Sequence, residues 1–157
     1  MPNWCENRLE IVFVNIEAET EWKAKYVSVE HGKLWLDITV GASESDVKSD
    51  SSARQSFAKI TDEDRGDNDS LILYCDSRWA PPTEFFTYIV KSNPAIIAAS
   101  LEYAEPNMAF IGSVQWDKET KNFSETHRSG IDLTDDDWLI LGHDRCENCS
   151  EFLCQCG

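Results

Sequence analysis

The residues best equipped for chemistry in this 157-residue chain lie in the segment CENCSEFLCQCG, where Cys146, Cys149, Cys154 and Cys156 fall within eleven positions. A CxxC pair offers two soft thiolates from one turn, and zinc takes four such ligands at about 2.3 Å in a closed tetrahedron. A short return, SEFL, leads to Cys154-Gln-Cys156, and His143 stands close enough in sequence to replace one thiol. Zinc held this way is structural, because four protein ligands leave no position for water. Closing such a site is worth about 10–16 kcal/mol in small peptides. The same thiols also fit two other states, free thiols in a loose tail and disulfides. The opening MPNWCENRLE has no basic start and no apolar stretch, so it is not a signal peptide. The chain is then expected in a reducing cytosol, where disulfides are rare. Cys5 and Cys75 fall on predicted strands and read as small buried core residues.

Carboxylates are the second resource. Twenty-nine acidic residues against fourteen basic ones give a net charge of −15. Two runs stand out: Asp62, Glu63, Asp64, Asp67 and Asp69 in DEDRGDND, and Asp135, Asp136 and Asp137. Residues 60–76 hold six acids and one base, and residues 129–157 hold seven acids and one base. The first run is not a calcium loop, since the D-x-[DN]-x-[DN]-G register with its twelfth-position glutamate is absent. Nucleic-acid affinity comes from Lys and Arg neutralising phosphates, so direct binding to DNA or RNA is excluded. Anionic membrane surfaces repel such a chain, and its apolar runs are too short to span a bilayer. What remains is a cationic protein surface or metal ions. Solvated loops, with charge kept for solubility, account for the same runs. The sharper expectation is a surface resembling nucleic acid. Duplex DNA carries one charge per about 1.7 Å of axis. Same-face side chains on a strand stand about 6.6 Å apart and neighbouring strands about 4.8 Å apart, so clustered carboxylates approach that density.

Enzymatic signals are thin. There is no Gly-rich phosphate loop and no nucleophile elbow, and His31, His127 and His143 are scattered over turns and the tail. The chain therefore reads as a non-enzymatic binder of a basic, nucleic-acid-handling protein, with the eight acids of the two runs as its contact residues. The alternative is a small-molecule binder or enzyme using a sheet end near Trp79, Tyr103 and Glu105.

The elements that must position these groups follow from periodicity. Cys5–Val14 alternates as a strand, with Leu9, Ile11 and Phe13 on one face and Arg8 and Glu10 on the other. Residues 15–32 carry Trp22, Tyr26 and Val29 at helical spacing, with Gly32 as the stop. Residues 33–40 alternate again. Residues 41–70 form a polar insertion, with a short helix over 53–60. A strand over 71–79 leads through Pro81-Pro82 into a helix ending at Asn93-Pro94. Two strands joined by EPN follow, then one further strand or short helix around Trp138–Leu141. This order predicts an α+β, ferredoxin-like (split βαβ) antiparallel sheet with helices on one face. It divides into a domain over 1–128 and an acidic, cysteine-rich appendage over 129–157.

Three blocks, MPNWCENRLEI, LYCDSRWAPPTEFF and LEYAEPNMAFIGSV, resemble the YubB ferredoxin-like domain family. The likeness spans about residues 1–116. It implies the same fold and an address among small cytoplasmic proteins of phages, plasmids and their bacterial hosts, but no established chemistry. Proteins of that provenance often act against host defence, so the implied target is a CRISPR or restriction effector. The family's Gly-Thr-Lys-Trp element has no counterpart here; its place reads DEDRGDNDS.

Overall fold

The structure, a computed structural model, describes residues 3–40 and 57–142. The four cysteines of the tail and residues 41–56 of the polar insertion lie outside the described residues. β1 (Trp4–Phe13) alternates as its sequence demands. Cys5, Asn7, Leu9 and Ile11 are buried, while Glu6, Arg8 and Glu10 take the other face. α1 (Ile16–Tyr26) is capped by Asn15, whose side chain accepts from the Ala18 N–H. Glu17 and Glu19 in its first turn and Lys23 and Lys25 in its last suit the helix dipole.

The helix expected to run to Gly32 ends at Tyr26. Val27 and Val29 are β-branched and favour extended chain, and β2 (Val27–Glu30) pairs with β3 (Lys33–Asp37). Gly32 does not stop a helix. With His31 it makes the two-residue turn between paired Glu30 and Lys33, at φ 51° and 72°. Positive φ at both central positions is the type I′ turn that matches hairpin twist.

The second half of the predicted insertion is also ordered. β4 (Phe57–Arg65) occupies residues where a helix end and a solvated acidic loop were expected. Only Ala58 and Ile60 of this strand are buried, so its apolar signal is short. A tight loop with Asp69 at φ 55° leads to β5 (Leu71–Arg78). α2 (Thr83–Ser92) follows the two prolines and buries Phe85, Phe86, Ile89 and Val90. β6 (Ile96–Glu105) and β7 (Phe110–Asp117) form the expected hairpin. β8 (Asn122–Ser129) has no forerunner in the periodicity, because all its residues are exposed and none marks a core face. A 3₁₀ turn (Gly130–Asp132) leads to α3 (Asp135–Ile140).

The chain is thus α+β, with one eight-stranded antiparallel sheet in the order β2-β3-β4-β5-β1-β6-β7-β8 and three α-helices among the described residues. The sheet is larger than a simple split βαβ unit. β1 lies at its centre, antiparallel to both β5 and β6. α1 and α2 share one face, where Phe85 meets Trp22 at 6.4 Å and Tyr26 at 5.5 Å between ring centroids. Leu9, Ile11, Leu71, Leu73, Ile96 and Leu101 complete that core. Each large side chain so buried contributes about 1.5–3 kcal/mol. α3 departs from the expected arrangement. Its Ile140 lines a groove on the opposite face. Part of the predicted appendage is therefore packed on the domain, with Asp137 and Leu141 buried.

Candidate interaction surface

The face opposite α1 and α2 is built by alternation and register. Directly opposed residues of antiparallel neighbours project to the same side. One row across the sheet is therefore Lys59, Asp76, Glu6, Ala104, Ile111 and Arg128. The next is Asp62, Tyr74, Arg8, Glu102, Ser113 and Thr126, and a third is Asp64, Ile72, Glu10, Ser100, Gln115 and Ser124. Six carboxylates thus share four adjacent strands, and the same rows place Arg8 and Lys59 among them. A groove of about 620 Å³ crosses the first two rows, lined by Glu6, Arg8, Tyr74, Asp76, Glu102 and Arg128 among others.

The charges here are only partly matched. Arg8 Nη1 lies 2.9 Å from Glu10 and 3.4 Å from Glu102. Arg78 leaves the rows and stacks over the Trp4 ring at 5.3 Å. Glu6 and Asp76 stand directly opposite each other. Burial pushes the Asp76 carboxyl above its ordinary range, an effect that Lys59 opposes. Lys59 stands directly opposite Asp76 on its other side, so Asp76 lies between one like and one opposite charge.

The residues singled out in the sequence meet different fates. Asp62 and Asp64 lie on the open face, but Glu63 points to the helix side, where Lys23 Nζ is 2.5 Å away. Asp67 and Asp69 are exposed in the β4–β5 loop. In the second run, Asp135 and Asp136 are exposed while Asp137 is buried. Its carboxylate accepts from Arg128 Nε at 2.8 Å and Nη2 at 2.5 Å, and from the Thr134 N–H at 2.8 Å. Donation by Arg128 holds it well below the usual carboxylate range. Asp137 therefore anchors α3 to β8, and its charge is spent inside the protein. The structure places Asp62 and Asp64 on β4 and Asp135 and Asp136 on α3. It gathers Asp62 and Asp64 with Glu6, Glu10, Asp76 and Glu102, four acids outside both sequence runs. The alternation of CENRLE does place Glu6, Arg8 and Glu10 on one polar face; the registers that set Asp76 and Glu102 beside them are not local signals.

At the sheet end considered as an alternative ligand site, Tyr103 and Glu105 are 4% and 0% exposed, whereas Trp79 is 40% exposed at φ 69°, and Tyr103 also lines the groove. Tyr103 lies over Gly112, where a Cβ would collide with its ring and with the Thr126 carbonyl, and its hydroxyl is 3.1 Å from His127 Nδ1. Nearby, Asn7 Nδ2 donates to the carbonyls of Cys5 and Cys75 and to Ser77 Oγ at 2.8, 3.1 and 2.9 Å. Burial pushes both thiols, Cys5 and Cys75, up to about 12. They stay protonated at neutral pH and are poor nucleophiles and metal ligands. Among the described residues no group of His, Cys, Asp and Glu is placed to hold a metal ion, and no helix is long and apolar enough to cross a membrane. Comparison with known proteins finds no matching family model, no similar curated protein and no matching solved structure.

Proposed function

We propose that this chain is a non-enzymatic, acidic binding protein that occupies a basic, nucleic-acid-handling surface of a host protein and blocks it. The observation that carries this reading is the open sheet face, where Glu6, Glu10, Asp62, Asp64, Asp76 and Glu102 project from four hydrogen-bonded strands. Spacings of about 4.8 Å between strands and 6.6 Å along them approach the charge density of a duplex. Such a face attracts cationic partners quickly and competes with phosphates for their Arg and Lys side chains.

The fold and the address belong to the same proposal. β1, α1, β4, β5, α2 and β6 follow the βαββαβ order, with β1 between β5 and β6. That supports a ferredoxin-like core, extended by the β2–β3 hairpin at one edge and by β7 and β8 at the other. The three sequence blocks support membership of the YubB type, hence a bacterial cytosolic setting and an anti-defence role against a CRISPR or restriction effector. The tail cysteines would hold a structural zinc; finding no zinc in purified protein by elemental analysis would remove that part.

The test is capture of partners from bacterial extract on immobilised protein, with two controls. Binding should be displaced by duplex DNA and weakened by salt. It should also fall in a variant carrying Glu6→Gln, Asp62→Asn, Asp64→Asn and Asp76→Asn. Binding indifferent to salt, DNA and these four changes would refute nucleic-acid mimicry.

A further inference from the structure

The free edge of the sheet at β8 has no part in the function proposed above. β8 is eight residues long, is exposed at every position and, among the described residues, pairs on one side only, with β7. Edge strands offer unpaired N–H and C=O groups to another strand, and proteins normally shorten or cover them. The opposite edge, β2, is cut to four residues; β8 is not. Apolar groups also remain uncovered at both of its ends. Phe123 is 37% exposed, and Ile131, just past the strand, is fully exposed at 101%.

We propose that β8 is a self-association surface, in which two copies pair β8 against β8 antiparallel about a two-fold axis through Thr126. The occupant follows from the strand's own sequence, SETHR. With the axis at Thr126, Glu125 opposes His127 of the second copy, and His127 opposes its Glu125. Ser124 opposes Arg128 twice in the same way. Phe123 comes opposite Ser129, beside the second copy's Ile131. His127 uses Nδ1 toward Tyr103, which leaves Nε2 for an incoming carboxylate. Moving the axis to Glu125 would oppose two carboxylates, and moving it to His127 would oppose two imidazoles. Charge complementarity therefore selects one register, and opposed pairs of this kind are what stabilise strand pairing.

An axis through a residue keeps equal parities opposed, so both open faces lie on the same side of the joined sheet. The pair would present one continuous sheet, built from the eight strands of each copy, with two acidic faces in line. Repulsion between chains of charge −15 opposes association, but charges more than about 8 Å apart are largely screened at physiological ionic strength.

Sedimentation velocity at physiological salt over a wide concentration range tests this. The expected result is reversible doubling of the 17.9 kDa mass. Glu125→Lys alone and His127→Glu alone should each weaken self-association about tenfold, since each removes both Glu125–His127 pairs and the second sets carboxylate against carboxylate. An equimolar mixture of the two variants should restore it. The lysine introduced at position 125 of one copy then faces the glutamate introduced at position 127 of the other, and the remaining native pair, His127 against Glu125, is intact. Circular dichroism confirms that each variant is folded. A wild-type protein that stays monomeric throughout overturns the proposal. So does association that both variants retain, or a mixture that fails to recover.

Discussion

Asp137 separates two accounts of the acidic runs, because its geometry makes it an anchor where its sequence suggests a contact. In Asp137→Asn the Arg128 guanidinium loses its bidentate acceptor. The capping box with Thr134, in which Thr134 Oγ1 accepts from the Asp137 N–H at 3.3 Å, loses its charged half. Loss of a negative charge at a helix N-terminus costs about 0.3–1 kcal/mol. The ion pair adds to that at a reduced value, since Arg128 is 45% exposed. α3 has six residues, so the loss should appear as local opening. Amide exchange of residues 135–141 should quicken about fivefold or more, while central strands β1 and β5 are unaffected. The pH dependence has a definite sign. The folded carboxyl is held below its unfolded value of about 3.9. Its contribution is therefore present above that pH and is lost as pH falls through the folded value. Wild type and variant should differ at neutral pH and converge in acid. Unchanged exchange in Asp137→Asn, with partner capture reduced as much as by Asp62→Asn and Asp64→Asn together, would show that Asp137 is a contact after all.

Asp76→Asn should stabilise the isolated protein by about 0.5 kcal/mol or less in urea unfolding at neutral pH, because burial disfavours its charge more than Lys59 favours it. Burial raises the folded Asp76 carboxyl above its unfolded value, so the charge's cost grows as pH rises and the gain from Asn should vanish in acid; destabilisation at neutral pH would contradict this. Gly112→Ala should cost about 1–3 kcal/mol, the range for forcing a methyl into filled space, with Tyr103 and His127 displaced in NMR spectra. A neutral Gly112→Ala would mean the Tyr103 ring is not fixed where the structure puts it.

How much of this is legible in the sequence varies with the reach of each signal. β1, α2 and the β6–β7 hairpin carry their own periodicity and turn residues, and they stand where those signals place them. Periodicity extends α1 too far because Val29 falls at i+7 from Trp22 and i+3 from Tyr26, a spacing that a strand pairing with β3 overrides. β4 and β8 escape it because their partners, not their own apolar residues, hold them in place. β4 buries Ala58 and Ile60 only, and β8 buries nothing. The charge total points to an acidic surface, and the runs name only part of the open face. Contiguous acids in a strand alternate between faces, so Asp62 and Asp64 separate from Glu63. The carboxylates that do share a face come from residues far apart in sequence. Cys5, Asn7, Tyr103, Glu105 and Gly112 likewise come from two distant segments and meet at one end of the sheet.

The strongest reason to place a binding surface on this face, and not on the loops, is mechanical. An acidic loop must be ordered when it binds, and each immobilised side chain or residue lowers affinity. Carboxylates on the central strands have a backbone already held by ladders on both sides, so only side-chain freedom remains to be lost. The row that sets Glu6 beside Asp76 also sets Lys59 on the other side of Asp76, so the face holds its charges in a fixed pattern before any partner arrives.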